Sequence, residues 1–337
     1  MKKILFLLFF SMIVTEVFSQ DVHFSQFYAA PIELNPANAG LITGKFRVGI
    51  NSKSQWGSVT KPYQNIAAYF DMQAVKRKYR KDALGTGILF DADIAGDSKY
   101  STIFAGIAIS YIKSISYRNN HFISVGIMPG LIQRSIDYSA LYYDNQYNGS
   151  YYDPTIDPGE QYGRRSFLMF DLGAGAHWFY QYNQSTSYHA GFSATHLTQP
   201  KISLMSNNDI RLNIKYTFYG GSSFKIAPDV EMLPSMMVSY QSPFTEILFG
   251  SQLKYNRSKL YTEHTSINFG LYYRYADALI AVAGFDYKNI NFGVSYDINL
   301  SRLRPASHVR GGFEFSVSYI YNKSKYKRNK EIPCPIF

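Results

Sequence analysis

The chain has 337 residues and a formal charge of +10; 17% of its residues are charged and 17% aromatic, with 30 Tyr, 25 Phe and one Cys. So many strand-favouring aromatics beside so few charges exclude a disordered chain. A single Cys excludes a disulfide framework or a Cys-rich zinc module, and the length leaves roughly one to three soluble domains or one large barrel.

Residues 1–19 read as a secretory signal peptide. Lys2 and Lys3 form the basic start, Ile4 to Val14 an apolar run, and Val17-Phe18-Ser19 a cleavage site with small residues at the right positions. The apolar run is too short to span a bilayer. The mature chain is expected to begin at Gln20 or Asp21, and no Cys follows for lipid attachment.

From residue 45 onward the dominant period is two. Strands are predicted at 45–52, 63–71, 84–93, 102–113, 121–134, 168–180, 187–198, 211–219, 231–240, 245–256, 266–275, 278–287, 290–299 and 311–321. That makes about fourteen, each near the length that a tilted membrane strand needs. In 266–275 one face is Ile267, Phe269, Leu271, Tyr273 and Tyr275; the other is Ser266, Asn268, Gly270, Tyr272 and Arg274. In 211–219, Leu212, Ile214, Tyr216 and Phe218 alternate with Arg211, Asn213, Lys215 and Thr217. The same alternation sets Ile290, Phe292, Val294 and Tyr296 against Asn291, Gly293, Ser295 and Asp297.

The two faces separate a membrane barrel from a soluble sandwich. Aromatics gather at strand ends, as in Trp178 and Tyr180, Tyr273 and Tyr275, Tyr319 and Tyr321, which is the girdle pattern of a membrane interface. The polar face carries Asp171, Arg211, Lys215, Glu246, Lys254, Arg274 and Asp297 in mid-strand, which suits a watery lumen. No later apolar stretch is long enough for a spanning helix, so a chain that crosses a membrane here does so as a closed all-β barrel. The expected fold is a transmembrane antiparallel β-barrel of about fourteen strands over 45–321.

An even strand count puts both barrel ends on one side, the periplasmic side for an outer-membrane barrel. Residues 20–44 are then expected to contact the periplasm or plug the lumen, and 322–337 to form a basic periplasmic tail with Lys323, Lys325, Lys327, Arg328 and Lys330. The longest gap, 137–165, falls between strands five and six on the extracellular side. Its Tyr143, Asn145, Tyr147, Tyr152 and Asp153 are the expected partner-binding residues, because a loop this long is usually functional or disordered. The basic run Lys76, Arg77, Lys78, Arg80 and Lys81 reads as a solvated loop, and an exported protein is not expected to bind nucleic acid.

No constellation supports catalysis or a cofactor. Asp91, Asp93 and Gly96 resemble the start of a calcium loop, but Ala95 and Thr102 stand where ligands are required. His177, His189 and His196 lack a carboxylate or Cys at ligand spacing, and His189 and His196 point to opposite faces of one strand. Cys334 stands alone between two prolines, and no nucleophile elbow, phosphate loop or dinucleotide fingerprint occurs.

Motifs in order along the chain resemble the PorP/SprF family of Bacteroidetes. They begin with Asp21-Val22-His23-Phe24-Ser25-Gln26-Phe27-Tyr28 and Leu34-Asn35-Pro36-Ala37. Gln55-Trp56, Ala95-Gly96-Asp97, Asn145-Gln146-Tyr147, Phe170-Asp171-Leu172-Gly173 and His196 with Pro200 follow. Arg274 with Asp277-Ala278, Ser295-Tyr296-Asp297, Gly311-Gly312 with Glu314, and Ile332-Pro333-Cys334-Pro335 complete the series. Val22 and Asn38 depart from the pattern. The resemblance implies a non-enzymatic outer-membrane barrel of the type IX secretion system. It further implies lipid, periplasmic secretion components and large secreted cargo, including gliding adhesins, as partners. From the residues alone a general solute pore is the alternative, since the same lumen charges suit one.

Overall fold

A computed structural model describes residues 24–55, 57, 61–76, 82–116, 118, 120–159, 163–204, 210–257, 265–301 and 310–321. The first seven strands are β1 Phe46–Gln55, β2 Tyr63–Lys76, β3 Ala83–Ala95, β4 Tyr100–Ser114, β5 His121–Ser135, β6 Ser166–Gln181 and β7 Thr186–Thr195. The rest are β8 Lys215–Ala227, β9 Val230–Gln241, β10 Phe244–Asn256, β11 Thr265–Arg274, β12 Ala278–Tyr287, β13 Ile290–Asn299 and β14 Arg310–Tyr321. Each strand pairs antiparallel with its sequence neighbours, and β1 pairs with β14 to close the barrel. The Lys45 N–H donates to the Tyr321 carbonyl at 2.8 Å, so the barrel's first and last residues share one mouth, here the terminal mouth. The opposite, loop mouth carries the long connections 137–165 and 196–214.

Strand length and alternation explain the wall. Ten residues at a rise of about 3.3 Å and a tilt of about 40° cover roughly 25 Å, the height of an apolar membrane band. The outward face is predominantly apolar: Ile50, Ile88, Ile107, Val125, Phe170, Phe218, Phe249 and Phe315 are exposed, and Phe269 and Leu271 remain 63% and 62% exposed. A continuous apolar belt of this extent is far beyond what a water-facing surface carries, so lipid is its solvent. Tyr111, Trp178, Tyr255, Tyr287 and Tyr319 ring the terminal mouth, and Tyr216, Tyr240, Tyr273 and Tyr296 ring the loop mouth. Amphipathic rings at both rims are the interface anchors expected of such a band. No described helix is long and apolar enough to cross a membrane.

The predicted and observed strands correspond one to one, with one large shift. The stretch 211–219 was expected as a strand, but β8 starts at Lys215. Residues 200–202 instead pair antiparallel with 210–212, with the Leu212 N–H donating to the Pro200 carbonyl and the Ile202 N–H to the Ile210 carbonyl. Leu212 turns inward against Ile132 and Met169. An apolar cap residue and a lipid-facing strand residue look alike in a period-two pattern, which is why the alternation overran.

Residues 24–42 run through the lumen. Ser25 and Gln26 lie against β13 and β14 in the loop-mouth half; the chain then crosses the interior and leaves at the terminal mouth to enter β1. Three apolar side chains anchor it. Phe27 packs with Tyr219, Leu248 and Tyr272, Ile32 with Leu89 and Met128, and Leu41 with Ile112, Phe122 and Phe179. Burying each contributes about 1.5–3 kcal/mol. Pro31 and Pro36 open two short helical turns, where their missing N–H groups cost nothing, and the Asn35 side chain caps the second by accepting from the Ala37 N–H at 2.9 Å. Gly40 has φ +72°, and a Cβ there would meet the Gly85 Cα at 2.7 Å, so only glycine fits the exit bend. Residues 20–23 and the tail 322–337 lie outside the described residues.

Candidate functional site

A segment without repetitive structure leaves its backbone polar groups unpaired unless the surroundings supply partners. Here the barrel wall supplies them. Tyr69 donates to the Ala29 carbonyl at 2.9 Å, Ser193 to Leu34 at 2.7 Å, Ser124 to Ala37 at 2.7 Å and Ser110 to Ala39 at 2.6 Å. Asn35 Nδ2 donates to the wall carbonyls of Ala176 and Phe192, and the Tyr219 hydroxyl to Asn38 Oδ1 at 3.0 Å. The small polar residues of the inward face are thus a complementary surface for one particular chain path.

Two buried ionic clusters fix the ends of that path. Near the loop mouth, Glu314 accepts the Ser25 N–H at 2.7 Å on one oxygen and the Gln26 N–H at 3.0 Å on the other. The Ser25 hydroxyl donates to Asp297, and accepts from Lys53 Nζ at 3.0 Å and Arg274 Nη2 at 2.7 Å. Arg274 also pairs with Asp297 at 3.1 Å, Glu246 at 3.0 Å and Asp277 at 2.9 Å, and Lys53 pairs with Asp297 at 3.3 Å. Near the terminal mouth, Asp71 forms a two-pronged bond with Arg47 and accepts the Gly40 N–H at 2.8 Å. Gln73 donates to the carbonyls of Gly40 and Ile42.

Cavities remain on both sides of this segment. One of about 230 Å³ lies in the terminal half, beside Arg47, Lys254, Asp286 and Asn291. Another of about 220 Å³ lies in the loop half against β2–β8, beside Asp171, His196, Leu212 and Lys215.

The expected lumen residues divide by position. Asp171, Arg274 and Asp297 are buried inside the barrel, and Arg274 and Asp297 meet in the loop-mouth cluster. Lys215 opens β8 and lines the loop-half cavity. Arg211 lies outside β8, exposed and bridged antiparallel to Lys201. Lys53 and the Arg47–Asp71 pair are not singled out from sequence, and Ser25 and Glu314 enter there only as members of family motifs, without a role. Lys53 and Glu314 both fall on the polar side of the alternation, which is the signal that marks them. Of the three histidines, His177 and His189 stack with ring centroids 6.0 Å apart and His177 contacts Tyr219, while His196 lies apart and pairs with Asp171 at 2.8 Å. Among the described residues no group of three or more His, Cys, Asp or Glu is placed to hold a metal.

In the long loop, Tyr143, Asn145, Tyr147, Tyr152 and Asp153 gather around buried Gln146. Tyr147 and Tyr152 form a β-bridge, the Tyr152 hydroxyl donates to Gln146 at 3.1 Å, and Asn145 donates to the Pro158 carbonyl at 3.1 Å. Asp153 accepts from the Thr155 hydroxyl and N–H, which holds its carboxyl below the ordinary aspartate range. Asp137 is lowered in the same way by Ser139. The loop is therefore internally ordered and presents Tyr142, Tyr147 and Tyr151 outward. Lys323, Lys325, Lys327, Arg328, Lys330 and Cys334 lie outside the described residues, as do residues 77–81 of the other basic run.

Residues 16–319 match the model of the type IX secretion system membrane protein family PorP/SprF. The chain belongs to the PorP/SprF family. Comparison with curated proteins gives no match. Among solved structures, the toluene transporter TbuX of Ralstonia pickettii is similar with a TM-score of 0.54 at 12% identity, over 87% of this chain and 93% of that one. The toluene transporter TodX of Pseudomonas putida is similar with a TM-score of 0.53 at 10% identity, over 91% of this chain and all of that one. At such identities the likeness is one of fold: an outer-membrane barrel. This PorP/SprF protein is an integral outer-membrane β-barrel and a membrane component of type IX secretion.

Proposed function

We propose that this PorP/SprF barrel acts as a closed frame that retains or positions large secreted cargo, including adhesins used in gliding, at the cell surface. The observation that carries this reading is the occupied lumen. Residues 24–42 are bonded to strands around the barrel and clamped at both ends by buried charge, an arrangement suited to a fixed support and poorly suited to solute flow. The loop mouth is assigned to the outside, so 137–165 with Tyr143, Asn145, Tyr147, Tyr152 and Asp153 faces cargo. Both barrel ends are assigned to the periplasm, with residues 1–19 removed as a signal peptide and 322–337 meeting the periplasmic machinery. The five cations of the tail suit an acidic partner or anionic headgroups, at about 1 kcal/mol each near a charged surface.

The test is purification of the intact membrane protein together with whatever it holds, from cells carrying the full chain or a chain lacking 322–337. The proposal expects a large secreted protein to co-purify with the full chain. It expects the deletion to leave the barrel inserted but impair secretion or retention. Normal secretion by the deleted chain removes the tail from the account. Absence of cargo, with rapid solute flux through the purified protein in liposomes, supports a solute pore instead.

A further inference from the structure

The two mouths of the barrel differ in exposed charge. At the terminal mouth Lys45, Lys113, Arg118, Lys225, Arg257 and Lys288 are exposed. Among the described residues none of these cations forms an ion pair, and no acid is exposed at that rim. Its acids are turned elsewhere. Buried Asp82 takes the Tyr111 hydroxyl at 3.2 Å, buried Asp286 pairs with Lys254 at 2.7 Å, and Asp229 and Glu231 are half-buried, with Glu231 taking Asn256 at 3.2 Å. At the loop mouth, by contrast, exposed Asp97, Asp137, Asp144 and Asp157 are interspersed with cations, and Lys61 pairs with Asp97 at 2.6 Å.

The terminal-mouth cations encircle the barrel. They belong to the entry to β1, the end of β4, the β4–β5 turn, the end of β8, the β10–β11 connection and the β12–β13 turn. A docked protein would meet one arc of such a rim or cover its mouth, whereas a lipid annulus meets all of it. Two of the cations also stand at the level of the aromatic girdle on the lipid side. Lys113 follows Tyr111 on the outward face of β4, and strand pairing places it in one row with outward Ile123 and Trp178 on the next two strands. Lys288 Nζ lies 5.0 Å from the centre of the ring of Tyr287, itself exposed at the rim. Long cationic side chains at this depth leave their stems along the apolar band and carry their charge to the headgroups.

We propose that the terminal rim is a cationic collar that gathers anionic phospholipid, with Lys113 and Arg118 holding headgroup phosphates beside Trp178. Ammonium and guanidinium groups donate to phosphate oxygens, and a rim of one sign adds their attractions with no exposed acid to cancel them. Each cation near an anionic membrane surface contributes roughly a fivefold preference. The inference goes beyond the closed-frame reading and depends neither on lumen closure nor on the tail.

The experiment is fluorescence quenching by brominated lipid. The chain has two Trp, so Trp56→Phe leaves Trp178 as the reporter at this rim. The full-length protein is reconstituted at low salt in phosphatidylcholine vesicles that contain a minor share of brominated phosphatidylglycerol or of brominated phosphatidylcholine. Phosphatidylglycerol is expected to occupy the shell at Trp178 about fivefold above its share of the bilayer. Salt at about 1 M, where the screening length falls to about 3 Å, should remove most of this preference. Lys113→Gln combined with Arg118→Gln should remove it as well. Equal quenching by the two brominated lipids at low salt overturns the proposal and leaves the rim to an acidic protein surface. A preference undiminished in the double variant overturns it too. The comparison of lipids on the unaltered rim keeps the test valid should that variant insert poorly.

Discussion

Gly126→Ala should undock the lumen segment while leaving the barrel intact. A Cβ at Gly126 would sit 2.6 Å from the Ala37 nitrogen and 2.7 Å from its Cα, both backbone atoms. Ordinary contact begins near 3.4 Å, so Ala37 must retreat by about 0.7 Å. That retreat strains the 2.7 Å bond from Ser124 and the 2.9 Å bond to Asn35. Overpacking with two weakened hydrogen bonds amounts to about 2–4 kcal/mol of docking energy. The undocked population should rise by roughly a hundredfold. Chymotrypsin reads it directly, because Phe27 and Tyr28 are cleavable only when the segment leaves the lumen. The control is Gly173→Ala on β6, whose Cβ would meet Thr195 and Pro36 at ordinary distances of 3.4 and 3.7 Å. Cleavage of the Gly126 variant no faster than that of the control, with both barrels still heat-modifiable on gels, refutes the reasoning.

Asp71→Asn removes the partner of a buried Arg47 and weakens the bond to Gly40; a loss of about 3–5 kcal/mol is expected in equilibrium unfolding. Phe269→Arg places a cation on the lipid face and should cost about 2–4 kcal/mol in refolding into bilayers, whereas Phe269→Leu should refold nearly normally. The turns at Asp137 and Asp153 use ionised carboxylates whose folded pKa values lie below the ordinary 3.8. Their contribution is present above 3.8 and is lost as pH falls through the lowered folded values, so resistance of 137–165 to pepsin should persist in mild acid and fail only below that range.

The barrel was legible because lipid and lumen impose opposite demands on successive residues. Phe269 and Leu271 against Ser266 and Arg274 state the wall's two faces without reference to any other strand. The aromatic rings were legible for the same reason, since Trp178 and Tyr319 repeat a local rule at each rim. The lumen segment was not legible beyond the alternative of a plug, because its partners are fixed by closure and not by spacing. Ser25 meets Arg274 across 249 positions and Glu314 across 289. The start of β8 was misplaced because Leu212 obeys the alternation while serving as a cap.

If residues 24–42 close the lumen, single-channel recording of the purified full-length protein in planar bilayers will show a silent baseline, and a chain lacking 24–42 will show stepwise conductance. Steady conductance from the unaltered protein, equal to that of the deletion, would contradict closure.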